Sequence, residues 1–239
     1  LTHKVWWSKG PSPGNLGDIL TPLILDHFGV KYKYHKNPRA AKVLCVGSIA
    51  KFAGAGTVVL GSGTMRESDT LSYLADWRFV RGPRTRKKVM ENGGDCPDIY
   101  GDPALLMPII HYPTAFKNGG TGIVPHYVDY KYAMNKYGKD HKVINVLNSN
   151  PFEVIDQIVS CSKIVSSSLH GIILAHAYGI PAAWVRFSDK LSGDDTKFAD
   201  YFESLSLPST LSSEDSTIFI DPPRKIDLNS ISDQFIAMR

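Results

Sequence analysis

Apolar positions along this chain alternate between two spacings. Residues 5–8, 43–46, 57–60 and 79–81 are short β-branched or apolar runs that read as strands. Between them apolar residues recur at helical spacing. One helix is predicted from about Asp18 to Phe28 and closed by Gly29. A basic one over 83–92 has Pro83 near its first position and glycine beyond its end. A Pro/Gly-rich connection, 103–120, precedes a second series: strands 122–124 and 142–147, helix 151–161, a strand at Ile164-Val165, and helices 169–178 and 197–205. Repeated strand–helix alternation predicts an α/β fold of mostly parallel sheets. The expected division is two Rossmann-like halves, 1–115 and 116–225, facing a cleft. A last helix within 226–239 is positioned to cross back to the first half.

The most informative stretch is 163–187, KIVSSSLHGIILAHAYGIPAAWVRF. It reads as strand, three serines, helix, glycine stop and strand, with Gly179 ending the helix and Pro181 forbidding its continuation. His170 then falls in the first helical turn, at the carboxyl end of a strand. Unpaired backbone N–H groups and the positive end of the helix dipole suit that place to an anion. Ser167, Ser168 and Leu169 would supply hydroxyls and amides. The competing reading is a packed core histidine, a role that His176 fits better.

Composition narrows the class. The chain has 239 residues, 43% hydrophobic and 21% charged, which excludes disordered and fibrous proteins. Its net charge of +4 comes from 27 basic and 23 acidic residues, too small an excess to indicate nucleic acid. The basic run 81–88, RGPRTRKK, has no interleaved aromatic residues for base stacking, so no nucleic-acid partner is expected. Cys45, Cys96 and Cys161 are odd in number and lack CxxC spacing, which predicts reduced thiols in a cytoplasmic protein. No run approaches the roughly 18 apolar residues of a membrane span, and no signal peptide is visible. At most, peripheral association with the inner face of the cytoplasmic membrane is expected.

Several residues could carry chemistry. Asp18, after the glycine-bearing loop 10–17, serves either as a helix cap or as a carboxylate in the cleft. Gly61-Ser62-Gly63 follows a strand as a turn that could approach a phosphate, or as an ordinary turn. Arg81 ends a strand, where α/β folds place ligands, and its guanidinium suits a carboxylate or phosphate. Arg84, Arg86, Lys87 and Lys88 read as solvated. His126 follows Val124-Pro125 at another strand end. His35, His111 and His141 have no partners at ligand spacing, so no metal site is expected. Gly193-Asp194-Asp195 reads as capping for the next helix. No P-loop and no well-placed GxGxxG is present, so nucleotide hydrolysis and dinucleotide redox chemistry lose support.

Ser168-Leu169-His170-Gly171 with Gly179-Ile180-Pro181 resembles the C-terminal half of polysaccharide pyruvyl transferases. The resemblance continues in 15–22 (NLGDILTP), 81–86 (RGPRTR), Gly101-Asp102-Pro103 and 197–202 (KFADYF). It implies a GT-B-like plan and transfer of pyruvyl from phosphoenolpyruvate to a sugar of a surface polysaccharide, forming a ketal and releasing phosphate. It also implies that Asn15, Asp18 and His126 lie at the cleft, with Lys197 on a matching segment. In this reading Arg81, Ser167, Ser168, Leu169, Gly61 and Ser62 hold the donor, His170 protonates its methylene carbon, and Asp18 assists as base. No cofactor is expected beyond phosphoenolpyruvate as co-substrate. The acceptor is a saccharide, free or polyprenyl-linked. Two alternatives stand beside it: a nucleotide-sugar glycosyltransferase on the same plan, and a non-catalytic sugar- or anion-binding protein. Residues 154–202 hold no glutamate to grip a ribose, which counts against the first.

Overall fold

The computed structural model describes residues 1–113 and 119–239. It contains two five-stranded, all-parallel sheets flanked by helices, an α/β architecture of two Rossmann-like halves. The first half carries β1 (His3–Trp6), α1 (Leu20–His27), β2 (Tyr32–Tyr34), β3 (Val43–Leu44), β4 (Val58–Leu60), β5 (Asp76–Phe79), α2 (Pro83–Glu91) and the short α3 (Met107–Ile110). The second carries β6 (Thr121–Val124), α4 (Tyr130–Tyr137), β7 (Lys142–Val143), α5 (Pro151–Val159), β8 (Lys163–Ser166), α6 (Leu169–Ala177), β9 (Ala182–Val185), α7 (Thr196–Ser204), β10 (Leu211–Ser212) and α8 (Leu228–Ile236). The expected boundary at residue 115 lies outside the described residues.

The first sheet runs β2-β1-β3-β4-β5 and the second β10-β9-β8-β6-β7. Each order reverses once, between β1 and β3 in the first sheet and between β6 and β8 in the second. At such a point the loops leaving neighbouring strands turn to opposite faces and open a crevice at the carboxyl ends.

Local chemistry accounts for the elements. Val5, Val43, Leu44, Val59 and Leu60 are fully buried, as strands covered on both faces require. Helix α5 starts on Pro151 with Asn150 as cap, its side chain accepting from the Phe152 amide at 3.1 Å. Helix α8 returns to the first half. There Phe235 stacks on Phe28 at 5.1 Å and meets Phe79 edge-on, while Arg239 Nε donates to the Phe28 carbonyl at 2.7 Å. His176 is a buried core histidine: its Nε2 donates to the Ile220 carbonyl and its Nδ1 accepts from the Tyr201 hydroxyl, both at 3.1 Å. The three cysteines are free and buried. No helix among the described residues is long and apolar enough to cross a membrane.

Candidate functional site

The carboxyl ends of β1, β3, β6 and β8 converge on one cavity of about 310 Å³. Trp6 and Ser8 enter it from β1, Gly47 and Ser48 from beyond β3, His126 from beyond β6, and Ser168, Leu169 and His170 from beyond β8. Both crevices therefore open onto the same space. Asn15 and Asp18 line it from the loop after β1, and Lys197 lines it from the first turn of α7.

That loop is fastened to the opposite half. The Leu16 amide donates to the Val146 carbonyl and the Asn148 amide to the Gly14 carbonyl, both at 2.9 Å. Asp18 is not a helix cap. Ile19 occupies the cap position of α1 without a side-chain bond, and the Asp18 carboxylate instead accepts from Asn15 Nδ2 at 3.0 Å. Burial raises the Asp18 pKa, a shift partly offset by the Asn15 hydrogen bond and by the charges of His170 and Lys197. A carboxylate whose charge is poorly solvated has gained proton affinity, the property wanted of a base.

Gly17, beside it, admits the histidine. A Cβ on Gly17 would stand 2.0 Å from His170 Nδ1, so any larger residue would displace the ring. On its other side the ring faces Asp102 of the first half, with Nε2 3.5 Å from Oδ2. The first turn of α6 carries no side-chain cap, because the Ser168 hydroxyl makes no bond to it. The free amides at this helix start, the Ser168 hydroxyl and the dipole thus form an anion-attracting end at the cavity wall. Ser166 holds the turn: its hydroxyl donates to the Val124 carbonyl and accepts from the Ser168 amide.

Lys197 supplies positive charge. Burial, and next the nearby Arg81 guanidinium, bring its pKa down to about 8, against the opposing pull of Asp195 and Asp18. It remains largely protonated at neutral pH yet is held in a poorly solvated place, which strengthens its attraction for an anion. Burial, with the Lys197 charge second, brings His126 down to about 4, so that imidazole is neutral at neutral pH.

Asn15, Asp18, His126, Ser168, Leu169, His170 and Lys197 are thus brought together, and four other sequence candidates are not. Arg81 is completely buried and saturated: Nε donates to Asp200 Oδ2 at 3.2 Å, Nη1 to Ser48 Oγ at 2.7 Å, and Nη2 to the Thr64 carbonyl at 2.6 Å. These bonds tie the two halves together. Asp200 also accepts from the Thr85 amide and hydroxyl, and a Cβ on Gly82 would collide with the Asp200 carbonyl at 1.9 Å. The motifs RGPRT and KFADYF are therefore the two sides of one α2–α7 junction.

Gly61 and Ser62 also lie away from the cavity. A Cβ on Gly61 would strike Pro103 at 2.5 Å, and Ser62 Oγ spans from the Gly47 carbonyl to the Ile49 amide. These contacts shape the cavity wall from behind, through Gly47 and Ile49. The Ser167 hydroxyl is occupied by the His126 amide and Asp129. Asp194 accepts from the Glu67 and Thr196 amides, and Asp195 pairs with Arg186. No group of three or more His, Cys, Asp or Glu residues among the described residues could hold a metal ion. Sequence reasoning missed Asp102 and Gly17 as site residues, although both stand within motifs it singled out.

An uncharacterised protein of Acanthamoeba polyphaga mimivirus is 38% identical over 173 residues, which is 65% of this chain and 57% of the relative. The chain thus spans 57% of that relative's length. No solved structure matches it. The family model for polysaccharide pyruvyl transferase matches residues 13–189, a stretch that includes Asn15, Asp18, His126 and His170. With well over half its length matched, the chain belongs to the polysaccharide pyruvyl transferase family.

Proposed function

We propose that this protein transfers the pyruvyl group of phosphoenolpyruvate to a saccharide, closing a cyclic ketal across two hydroxyls and releasing phosphate. The observation that carries the reading is the convergence of Asp18, His170, Lys197 and the uncapped start of α6 on one cavity where both sheets open. The donor has two anionic groups and an enol carbon that must gain a proton. The cavity offers an anion-attracting helix end, a buried ammonium and an imidazole.

In this scheme the α6 amides and the Ser168 hydroxyl hold the phosphate, and Lys197 holds the carboxylate. His170 gives a proton to the methylene carbon, and the positive charge that develops at C2 is met by the first acceptor hydroxyl, whose proton Asp18 takes. The C2–O bond to phosphate then breaks, and the second hydroxyl adds to C2 with loss of its proton to solvent or phosphate. One phosphate leaves for each ketal made. Asn15, holding Asp18, and the neutral His126 line the acceptor side.

The test is phosphate release from phosphoenolpyruvate across a panel of galactoside, glucoside and mannosamine acceptors, free and polyprenyl-linked. NMR of the product would separate a ketal from an open enolpyruvyl ether. Acceptor-dependent release that falls by about 10²–10⁴-fold in His170→Gln is the expected result. Consumption of a nucleotide sugar without phosphoenolpyruvate would replace this reading with that of a glycosyltransferase.

A further inference from the structure

We propose that Asp102 is a positioning residue that fixes the proton of His170 on Nε2 and leaves Nδ1 to act on the ligand. This rests on the reading of His170 as proton donor. Asp102 stands at the end of the first half, where its Oδ1 accepts from the Ala104 amide at 3.0 Å and caps the turn Pro103–Leu106. That turn packs against α6. The second carboxylate oxygen, Oδ2, is fully buried and has no hydrogen-bond partner, and the same is true of His170 Nε2. The two atoms are 3.5 Å apart, one from each half, with Asp102 wholly inaccessible.

Buried polar atoms without partners are rare in native proteins because each forfeits its hydration. Here the two orphans face each other at ion-pair distance. Such catalytic contacts are often long in a ligand-free site and tighten when it fills. Cys45 and Tyr201 both have raised pKa values, through burial first and the Asp102 charge next, so both stay neutral. The imidazole is the one basic group facing this oxygen among the described residues.

The bond made by one ring nitrogen sets the role of the other. With Nε2–H directed at Asp102, a protonated ring loses its Nδ1 proton to the donor's methylene carbon and returns to the neutral Nε2–H form. A fresh proton from solvent completes the cycle.

The experiment combines ¹⁵N-histidine NMR with a double-mutant cycle. In the wild-type protein the neutral His170 ring should carry its proton on Nε2, shifted downfield and protected from exchange. In Asp102→Asn, Oδ1 can still cap Ala104, but the amide would donate to Nε2 and move the proton to Nδ1. Turnover should fall about 10²-fold, within the usual worth of a positioned proton donor, with the KM for phosphoenolpyruvate little changed. The D102N/H170Q double variant should be no slower than H170Q alone. A wild-type ring protonated on Nδ1, a freely exchanging Nε2 proton, or additive losses in the cycle would overturn the proposal. The wild-type spectrum decides even if D102N fails to fold. It also separates the two readings: absence of phosphate release would remove the transferase and leave the Asp102–His170 pairing testable.

Discussion

The junction around Arg81 and the cavity around His170 both join the two halves with charged side chains, and they treat those charges in opposite ways. At the junction every polar atom of the buried pair is answered. Arg81 spends its nitrogens on Asp200, Ser48 and Thr64, and Asp200 takes the Thr85 amide and hydroxyl in addition. At the cavity the charges are incompletely answered. Asp18 has gained proton affinity through burial, Lys197 has lost it for the same reason, and His170 Nε2 and Asp102 Oδ2 have no hydrogen-bond partner. A saturated network can only hold. A network with unspent donors and acceptors has free energy left to give a ligand, and in this molecule that distinction separates the tie from the site.

The largest expected effect would break the comparison at the cavity. His170→Gln should lower kcat for phosphate release by about 10²–10⁴-fold, the usual loss on removing a positioned proton donor. Its thermal midpoint should stay close to that of the wild type, because glutamine keeps much of the ring's volume and an amide that can face Asp102 Oδ2. Unchanged turnover with a collapsed thermal midpoint would make His170 a packing residue, like His176.

Next comes the junction. Arg81→Met should destabilise the protein by about 3–5 kcal/mol, because it leaves the Asp200 carboxylate buried without its cation. Urea denaturation reads this directly. The folded fraction should keep its kcat. A raised KM for phosphoenolpyruvate at unchanged stability would return Arg81 to the donor site.

Lys197 sharpens the contrast within the cavity. Lys197→Met should weaken donor binding by roughly 1.5–3 kcal/mol, the range for hydrogen bonds to charged groups. The sign of the pH dependence follows from the protonated form being the binder. With a pKa of about 8, the ammonium is lost as pH rises through that value, and donor affinity should fall with it. The fall should be absent in the variant. Calorimetric titration with phosphoenolpyruvate from pH 6.5 to 9.5 checks both.

The alternating pattern made both sheets legible, since β3, β4 and β8 are mostly buried runs of the kind that parallel sheets require. Strand β2 and helix α4 escaped it. The first is three residues, Tyr32–Tyr34, held by Trp7 packing edge-on against both tyrosines; the second is mostly polar, with only Ala133 buried. The place of His170, in the first turn of a helix that follows a strand, was legible because helix starts and strand ends are local properties. The pairing of Arg81 was hidden for the complementary reason. A strand-end guanidinium looks the same in sequence whether it meets a ligand or an aspartate 119 positions away. Asp102 was hidden likewise, since its partner lies on the other half.

The smallest expected effect probes whether burial, rather than pairing as such, makes the junction strong. Arg84 of α2 and Glu203 of α7 join the two halves beside Arg81 and Asp200, with Arg84 Nη2 donating to Glu203 Oε1 at 2.6 Å. Their side chains are 42% and 38% exposed, whereas those of Arg81 and Asp200 are 0% exposed. Solvent screens the outer pair, and removing one partner leaves the other free to hydrate, so Arg84→Ala should cost no more than about 1 kcal/mol. It should also shrink with added salt, as the inner tie should not. Urea denaturation of Arg84→Ala at low and high salt, beside Arg81→Met, measures the ratio. Equal losses from the two variants would mean that the α2–α7 junction owes its strength to charge alone, and that the contrast between a saturated tie and an unspent cavity rests on something other than solvent exclusion.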